Sequence, residues 1–143
     1  MLDSLPVTYL GTLTAATNEV DRPLVKGGPF GTRSVATVTS AAFEGPNISA
    51  TMPDGVAAGD WLTVRADGSF SLDVRVSLRT DDGADIYLSY VGIGMRTDDG
   101  VSIKTSPRFE TGDERYAYLN NVFAVAVGRT TEKGVAYDVY QVD

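Results

Sequence analysis

The sequence predicts an all-β protein, a single closed antiparallel barrel of roughly eight to nine strands. Apolar and polar residues alternate with a period of two along most of the chain, and no helical period recurs. Asp-Gly pairs at 67–68, 82–83 and 99–100 are typical of tight hairpin turns. The length of 143 residues matches the size of one ordinary domain, so we expect residues 1–143 to form one barrel.

The N-terminal half contains three predicted strands. Residues 7–14 (VTYLGTLT) form the first, and residues 32–43 (TRSVATVTSAAF) form a long second strand rich in Thr, Val and small residues. The stretch between them, 18–31, is rich in Gly and Pro and is predicted to be a loop. Residues 61–65 (WLTVR) form a short strand that ends at the first Asp-Gly turn.

The strand at 70–79 has the clearest alternation, because every second residue is a large apolar one. Downstream, residues 86–95 (IYLSYVGIGM), 101–105 and 135–142 are predicted strands, and the long apolar stretch 116–128 is predicted to be another. The segment 106–114 is expected to be a loop over one end of the barrel.

Composition excludes several kinds of chemistry. The chain has no Cys and no His, so it lacks thiolate nucleophiles, the usual base at neutral pH and the commonest metal ligands. We therefore expect no metal and no cofactor. A net charge of −7 argues against nucleic acids and anionic membranes as partners. The N-terminus lacks the pattern of a signal peptide, so a cytoplasmic location is expected.

The segment RTDDG occurs twice, at 79–83 and at 96–100, and is interpreted as two similar hairpin turns. A calcium loop is rejected, because the alternating Asp pattern and the closing Glu of an EF-hand are missing.

A set of short motifs resembles a known family. In order along the chain they are FEGP at 43–46, GDW at 59–61, RADG at 65–68, LDVR at 72–75, TDDGADI at 80–86, Gly92, TSPRFET at 105–111 and YAYLN at 116–120. Their order and spacing resemble the bacterial and fungal barrel family catalogued as domain of unknown function 3237, over about residues 7–142. The family usually has Trp where this chain has Tyr118, which implies a pocket of altered shape. The resemblance implies a barrel similar to allene oxide cyclases and dirigent proteins, which hold hydrophobic small molecules and steer cyclisation or coupling.

Asp73 and Arg75 are the first candidates for a site, because they lie two apart on one strand and share a face. If that face is internal, they form a charged floor beside Trp61 and Arg65. Arg75 would then bind a carboxylate or enolate, and Asp73 would act as the base. The alternative is an exposed ion pair that contributes well under ~1 kcal/mol.

Two other carboxylates are candidates for a second proton carrier. Asp60 lies at a strand start, where it either bonds backbone amides in a turn or accepts protons at the pocket mouth. Glu110 follows Phe109, and an acid beside an aromatic ring can have a raised pKa. The alternative for Glu110 is a solvated loop residue paired with Arg108 or Arg115.

Aromatic residues supply the remaining candidates. Tyr87 and Tyr90 lie on opposite faces of one strand, so only one can point inward, and Tyr90 is predicted to donate or to line the pocket. Tyr116, Tyr118 and Asn120 are expected to share a face, with Tyr118 and Asn120 binding substrate. The alternative is that these residues are ordinary core.

These observations favour a cofactor-free isomerase, cyclase or lyase acting on a small apolar or aromatic metabolite. The alternatives are a non-catalytic barrel that binds a small ligand and, less favoured, a structural subunit of an oligomer. The segment 121–127 (NVFAVAV) is apolar on both faces, so at least a homodimer is expected.

Overall fold

The computed structural model describes residues 1–18 and 23–143, and within them the chain forms ten strands and one 3₁₀ helix. All of the strand pairs are antiparallel. Part of the predicted 18–31 loop, residues 19–22, lies outside the described residues. The strands are β1 Val7–Thr17, β2 Val25–Gly28, β3 Gly31–Gly45, β4 Ile48–Thr51, β5 Gly59–Val64, β6 Phe70–Thr80, β7 Asp85–Thr97, β8 Gly100–Glu110, β9 Ala124–Thr130 and β10 Gly134–Val142.

The sheet closes into an eight-stranded barrel with two additional strands, as the sequence predicts. Closure is made by β3, whose second half pairs with β1 while its first half pairs with β5. The short strands β4 and β5 share one position in the barrel, because each bridges β3 to a different end of β6. The predicted Asp-Gly turns join β5 to β6, β6 to β7 and β7 to β8, and their glycines all have positive φ.

Four elements differ from the sequence prediction, and two of them are the short strands β2, inside the predicted 18–31 loop, and β4. The predicted strand at 116–128 begins instead as the 3₁₀ helix Glu114–Asn121 and becomes strand β9 only at Ala124. The predicted loop at 106–114 belongs up to Glu110 to β8. Asp113 explains the helix start, since its carboxylate accepts a hydrogen bond from the Arg115 backbone N–H at 3.0 Å.

The barrel interior is packed at one end. There the 3₁₀ helix covers the opening, with Leu119 fully buried, and the rings of Phe43 and Phe109 lie 5.4 Å apart. The Tyr116 hydroxyl donates to Asp82 at 2.9 Å and ties the helix to the turn between β6 and β7. The opposite end, near the start of β6 and the end of β7, has no such cover among the described residues and leads into a cavity. No helix within the described ranges is long and apolar enough to cross a membrane.

The outer surface carries several exposed apolar side chains. On β7 these are Val91, Ile93 and Met95, and on the β9 side they are Phe123 and Val127. Contiguous exposed apolar patches are typical of surfaces that pack against another protein, and the three apolar side chains of β7 share one face of that strand.

We expect the protein to be at least a dimer in solution, because association would remove these side chains from water. Light scattering at micromolar concentration should give at least twice the mass of one chain. The Val127→Glu variant places a charge on this surface and should lower that mass, while Thr8→Glu, at an exposed polar position on β1, should not. A monomeric wild-type mass would contradict the expectation.

Candidate functional site

The open half of the barrel encloses a mostly apolar cavity of about 280 Å³. An apolar cavity of about 150 Å³ is large enough to hold benzene, so this one has room for a larger ring system. Its polar groups are few and come from several strands. The lining residues central to the chemistry are Asp60 on β5, Phe70 on β6, Tyr90 and Arg96 on β7, and Tyr137 on β10.

Asp60 is the buried acid of this cavity, with only 8% of its surface exposed. The β5–β6 ladder has pairs at Asp60↔Val74 and Thr63↔Ser71 and none between them. The backbone N–H of Asp73 lies in that gap and donates to Asp60 Oδ1 at 3.0 Å. The Asp60 carboxylate thus takes the place of a backbone acceptor that the ladder lacks. This hydrogen bond holds the carboxylate on the inner face of β5.

Burial raises the pKa of Asp60 to about 6, because removal from water penalises the charged form. The hydrogen bond from the Asp73 backbone opposes this shift in pKa, and the nearby Asp73 carboxylate adds to it. A carboxyl group with this pKa is mostly ionised at neutral pH, yet readily accepts a proton.

Two buried tyrosines lie beside Asp60 in the cavity. The rings of Tyr90 and Tyr137 meet edge to face with centroids 5.2 Å apart. Burial raises the pKa of both phenols, so both remain protonated donors at neutral pH. Tyr137 is 1% exposed, and its hydroxyl has no hydrogen-bond partner among the described residues. The oxygen of this hydroxyl has almost no accessible surface, and its polar neighbour is the Tyr90 hydroxyl, which lies beside it in the cavity.

Gly128 fixes the position of Tyr137. It pairs with Tyr137 across β9 and β10, and a Cβ atom placed there would lie 2.4 Å from the tyrosine ring. The ring therefore rests directly on the β9 backbone. A side chain at this position would push the ring, and with it the hydroxyl, out of its present place.

The prediction that Asp73 and Arg75 form a charged site inside the barrel is wrong. Asp73 and Arg75 lie on the outer face of β6, where their side chains are 44% and 48% exposed and form an ion pair at 3.4 Å. The alternate residues, including Leu72 and Val74, occupy the interior. Placing the two charges inside would have required removing them from water. Trp61 does lie with this pair, but outside, with the Arg75 guanidinium 5.1 Å from its ring centre.

The other predicted residues also lie outside the cavity. Arg65 is exposed in the turn after β5, and Glu110 is exposed at the end of β8. Tyr118 is largely exposed on the 3₁₀ helix. Asn120 is structural, since its side chain exchanges two hydrogen bonds with the Thr111 backbone at 2.8 and 3.0 Å. For Tyr118 and Asn120 the reason is the 3₁₀ helix, because its period of three separates residues that a strand would place on one face.

Of the predicted site residues, the structure brings Asp60 and Tyr90 together in the cavity. Two further residues of the cavity, Tyr137 and Arg96, were not predicted from the sequence. Tyr137 could have been found from the alternation of Val135, Tyr137 and Val139 in the last strand. Arg96 was assigned to a turn, whereas β7 extends to Thr97 and places Arg96 on the same face as Tyr90.

The chain belongs to the family described as "Protein of unknown function (DUF3237)", which matches residues 7–142. A UPF0311 protein of Rhodopseudomonas palustris is 29% identical over 99% of both chains. The crystal structure of a β-barrel-like protein of Acinetobacter baumannii superimposes with a TM-score of 0.88 at 25% identity, over 100% of this chain and 99% of the other.

A fungal relative has a named activity. The hydroalkoxylation enzyme of Penicillium herquei is 30% identical over 98 residues, which cover 64% of this chain and 54% of the enzyme. The structure of an enzyme from the same organism superimposes with a TM-score of 0.72 at 21% identity, over 99% of this chain and 100% of the other. This second similarity is one of fold alone.

Replacing Gly128 by Ala tests the arrangement of Tyr137. The added methyl group should overpack the site and lower the free energy of unfolding by about 1–3 kcal/mol. Gly112→Ala is the matched control, since a Cβ there meets no atom within 4 Å. Urea unfolding of both variants measures the difference. Equal stability of the two variants would contradict the described packing of Tyr137 against β9.

Proposed function

We propose that this protein is a cofactor-free enzyme that transfers protons on a small, mostly apolar or aromatic metabolite held in the barrel. The reaction class is isomerisation, cyclisation or a lyase reaction. One observation carries the proposal, namely that Asp60 has a pKa of about 6 in an apolar cavity beside two protonated phenols. A buried base and a buried donor in one water-poor space are the minimum that such reactions need.

The chemistry can be written with these side chains alone. The Asp60 carboxylate removes a proton from a carbon or hydroxyl group of the ligand. The freed electron pair forms a new bond or moves into the conjugated system, and the negative charge develops on an oxygen near Tyr90. The Tyr90 hydroxyl, with the Tyr137 hydroxyl beside it, donates a hydrogen bond to that oxygen. The Asp60 carboxylic acid then returns the proton to another atom of the ligand.

The fungal relative supports this reaction class. A hydroalkoxylation adds an alcohol O–H across a carbon–carbon multiple bond, so it removes a proton from oxygen and delivers one to carbon. A base that is also an acid near neutral pH meets both demands.

The alternative is a non-catalytic barrel that binds a small ligand. The apolar character of most of the cavity favours it, because burial of apolar surface alone can hold a ligand. In that case the raised pKa of Asp60 would have no role in turnover.

The variant Asp60→Asn separates the two functions. It keeps the volume and an acceptor for the Asp73 N–H but removes the base, so turnover should fall by about a hundredfold or more, with ligand binding retained. The raised pKa also predicts the effect on stability. Ionised Asp60 destabilises the folded state, and this cost appears as the pH rises from about 4 to about 6.

Above pH 6 the Asp60→Asn variant should therefore be more stable than wild type by about 2–3 kcal/mol, and below pH 4 this advantage should vanish. Urea unfolding at several pH values and a turnover assay on candidate aromatic substrates measure the two effects. Asp85→Asn, at an exposed position at the start of β7 where the carboxylate pairs with Arg79, is the matched control and should keep turnover. Undiminished turnover in Asp60→Asn would refute the catalytic role and favour the binding alternative.

A further inference from the structure

Arg96 lies at the mouth of the cavity. It is on the inner face of β7, six residues beyond Tyr90, and six residues of strand span about 20 Å. Among the described residues that line the cavity, Arg96 is the one cationic side chain and Asp60 is the one carboxylate. The cavity therefore has a negative group at its inner level and a positive group at its opening.

The Arg96 guanidinium is not used by the described part of the protein. No ion pair or hydrogen bond joins it to residues 1–18 or 23–143, whereas Arg79, Arg115 and Arg129 each pair with an aspartate. An arginine side chain that is exposed at a cavity rim offers two parallel N–H donors, which match the two oxygens of a carboxylate.

An aromatic side chain, Phe70, lies between the inner level of the cavity and its mouth. A Cβ atom at Gly94 would lie 2.1 Å from the ring of Phe70, so this ring rests on the β7 backbone between Tyr90 and Arg96. From the inner level to the mouth, a ligand would meet the two tyrosines, then Phe70 and then Arg96. Flat rings pack favourably against aromatic side chains in stacked or edge-to-face contacts.

We propose that the ligand of this cavity is a small aromatic or conjugated carboxylic acid that enters with its ring first. Its carboxylate pairs with Arg96 at the mouth, its ring lies along Phe70 and Tyr137, and its reacting end reaches Asp60. The opposite charges at the two levels fix this orientation, because the reverse one would place two carboxylates together. This proposal rests on the proposed function in that it assumes a ligand in the cavity.

Paired probes test the charge requirement. 2-Naphthoate and its neutral analogue 2-naphthamide have the same ring and differ in charge. Titration calorimetry at pH 8 should show wild type binding the acid about tenfold to a hundredfold more tightly than the amide, as expected for a charge-assisted contact. Arg96→Gln should remove this preference by weakening binding of the acid only, and Arg96→Lys should restore part of it.

Arg65→Gln is the matched control, because it removes a positive charge at the same end of the barrel from a residue outside the cavity lining. It should keep the preference for the acid. Equal binding of acid and amide by wild type would overturn the anion assignment while leaving the base role of Asp60 intact. Binding of neither probe would overturn the proposed ligand class, and the Asp60→Asn turnover measurement would then decide the proposed function separately.

Discussion

The site depends on one hydrogen bond, from the Asp73 backbone N–H to the Asp60 carboxylate. A buried carboxylate is costly, and a single backbone donor offsets only part of that cost. The bond holds Asp60 at the gap in the β5–β6 pairing, so the position of this side chain is set by the pairing of the two strands. The remaining cost is visible as the raised pKa, which makes Asp60 both a base and an acid at neutral pH.

Closure of the barrel gives this acid its surroundings. Strand alternation sends apolar residues inward and charges outward, and closure turns the inner face into a space with little water. One half of that space is filled and covered by the 3₁₀ helix, while the other half keeps a cavity. Glycines at 94 and 128 let Phe70 and Tyr137 lie flat on the wall, which shapes the cavity without bulky opposing side chains.

The fold was largely predictable because its signals are local. The alternation in β6 and the three Asp-Gly turns predicted strands and hairpins that the structure contains. The strand predicted at 116–128 was wrong at its start, because Asp113 caps a helix there. The short strands β2 and β4 were not predicted, since each depends on pairing with β3 rather than on its own pattern.

The site was harder to predict because it depends on which face of each strand is internal. The polar pair Asp73 and Arg75 attracted attention as a break in an apolar pattern, yet alternation with Leu72 and Val74 places both outside. Errors in the predicted ends of two strands also concealed site residues. Starting β5 at Trp61 hid the inward direction of Asp60, and ending β7 at Met95 hid that of Arg96.

The pKa of Asp60, measured directly, tests whether this residue is a buried base. Carboxyl ¹³C chemical shifts of the aspartates can be followed by NMR from pH 3 to pH 9, with Asp60→Asn used to assign the Asp60 signal. A buried Asp60 should titrate with a midpoint near pH 6. A midpoint near the ordinary aspartate value of about 3.9 would contradict it, because Asp60 would then be a solvated carboxylate and not a buried base.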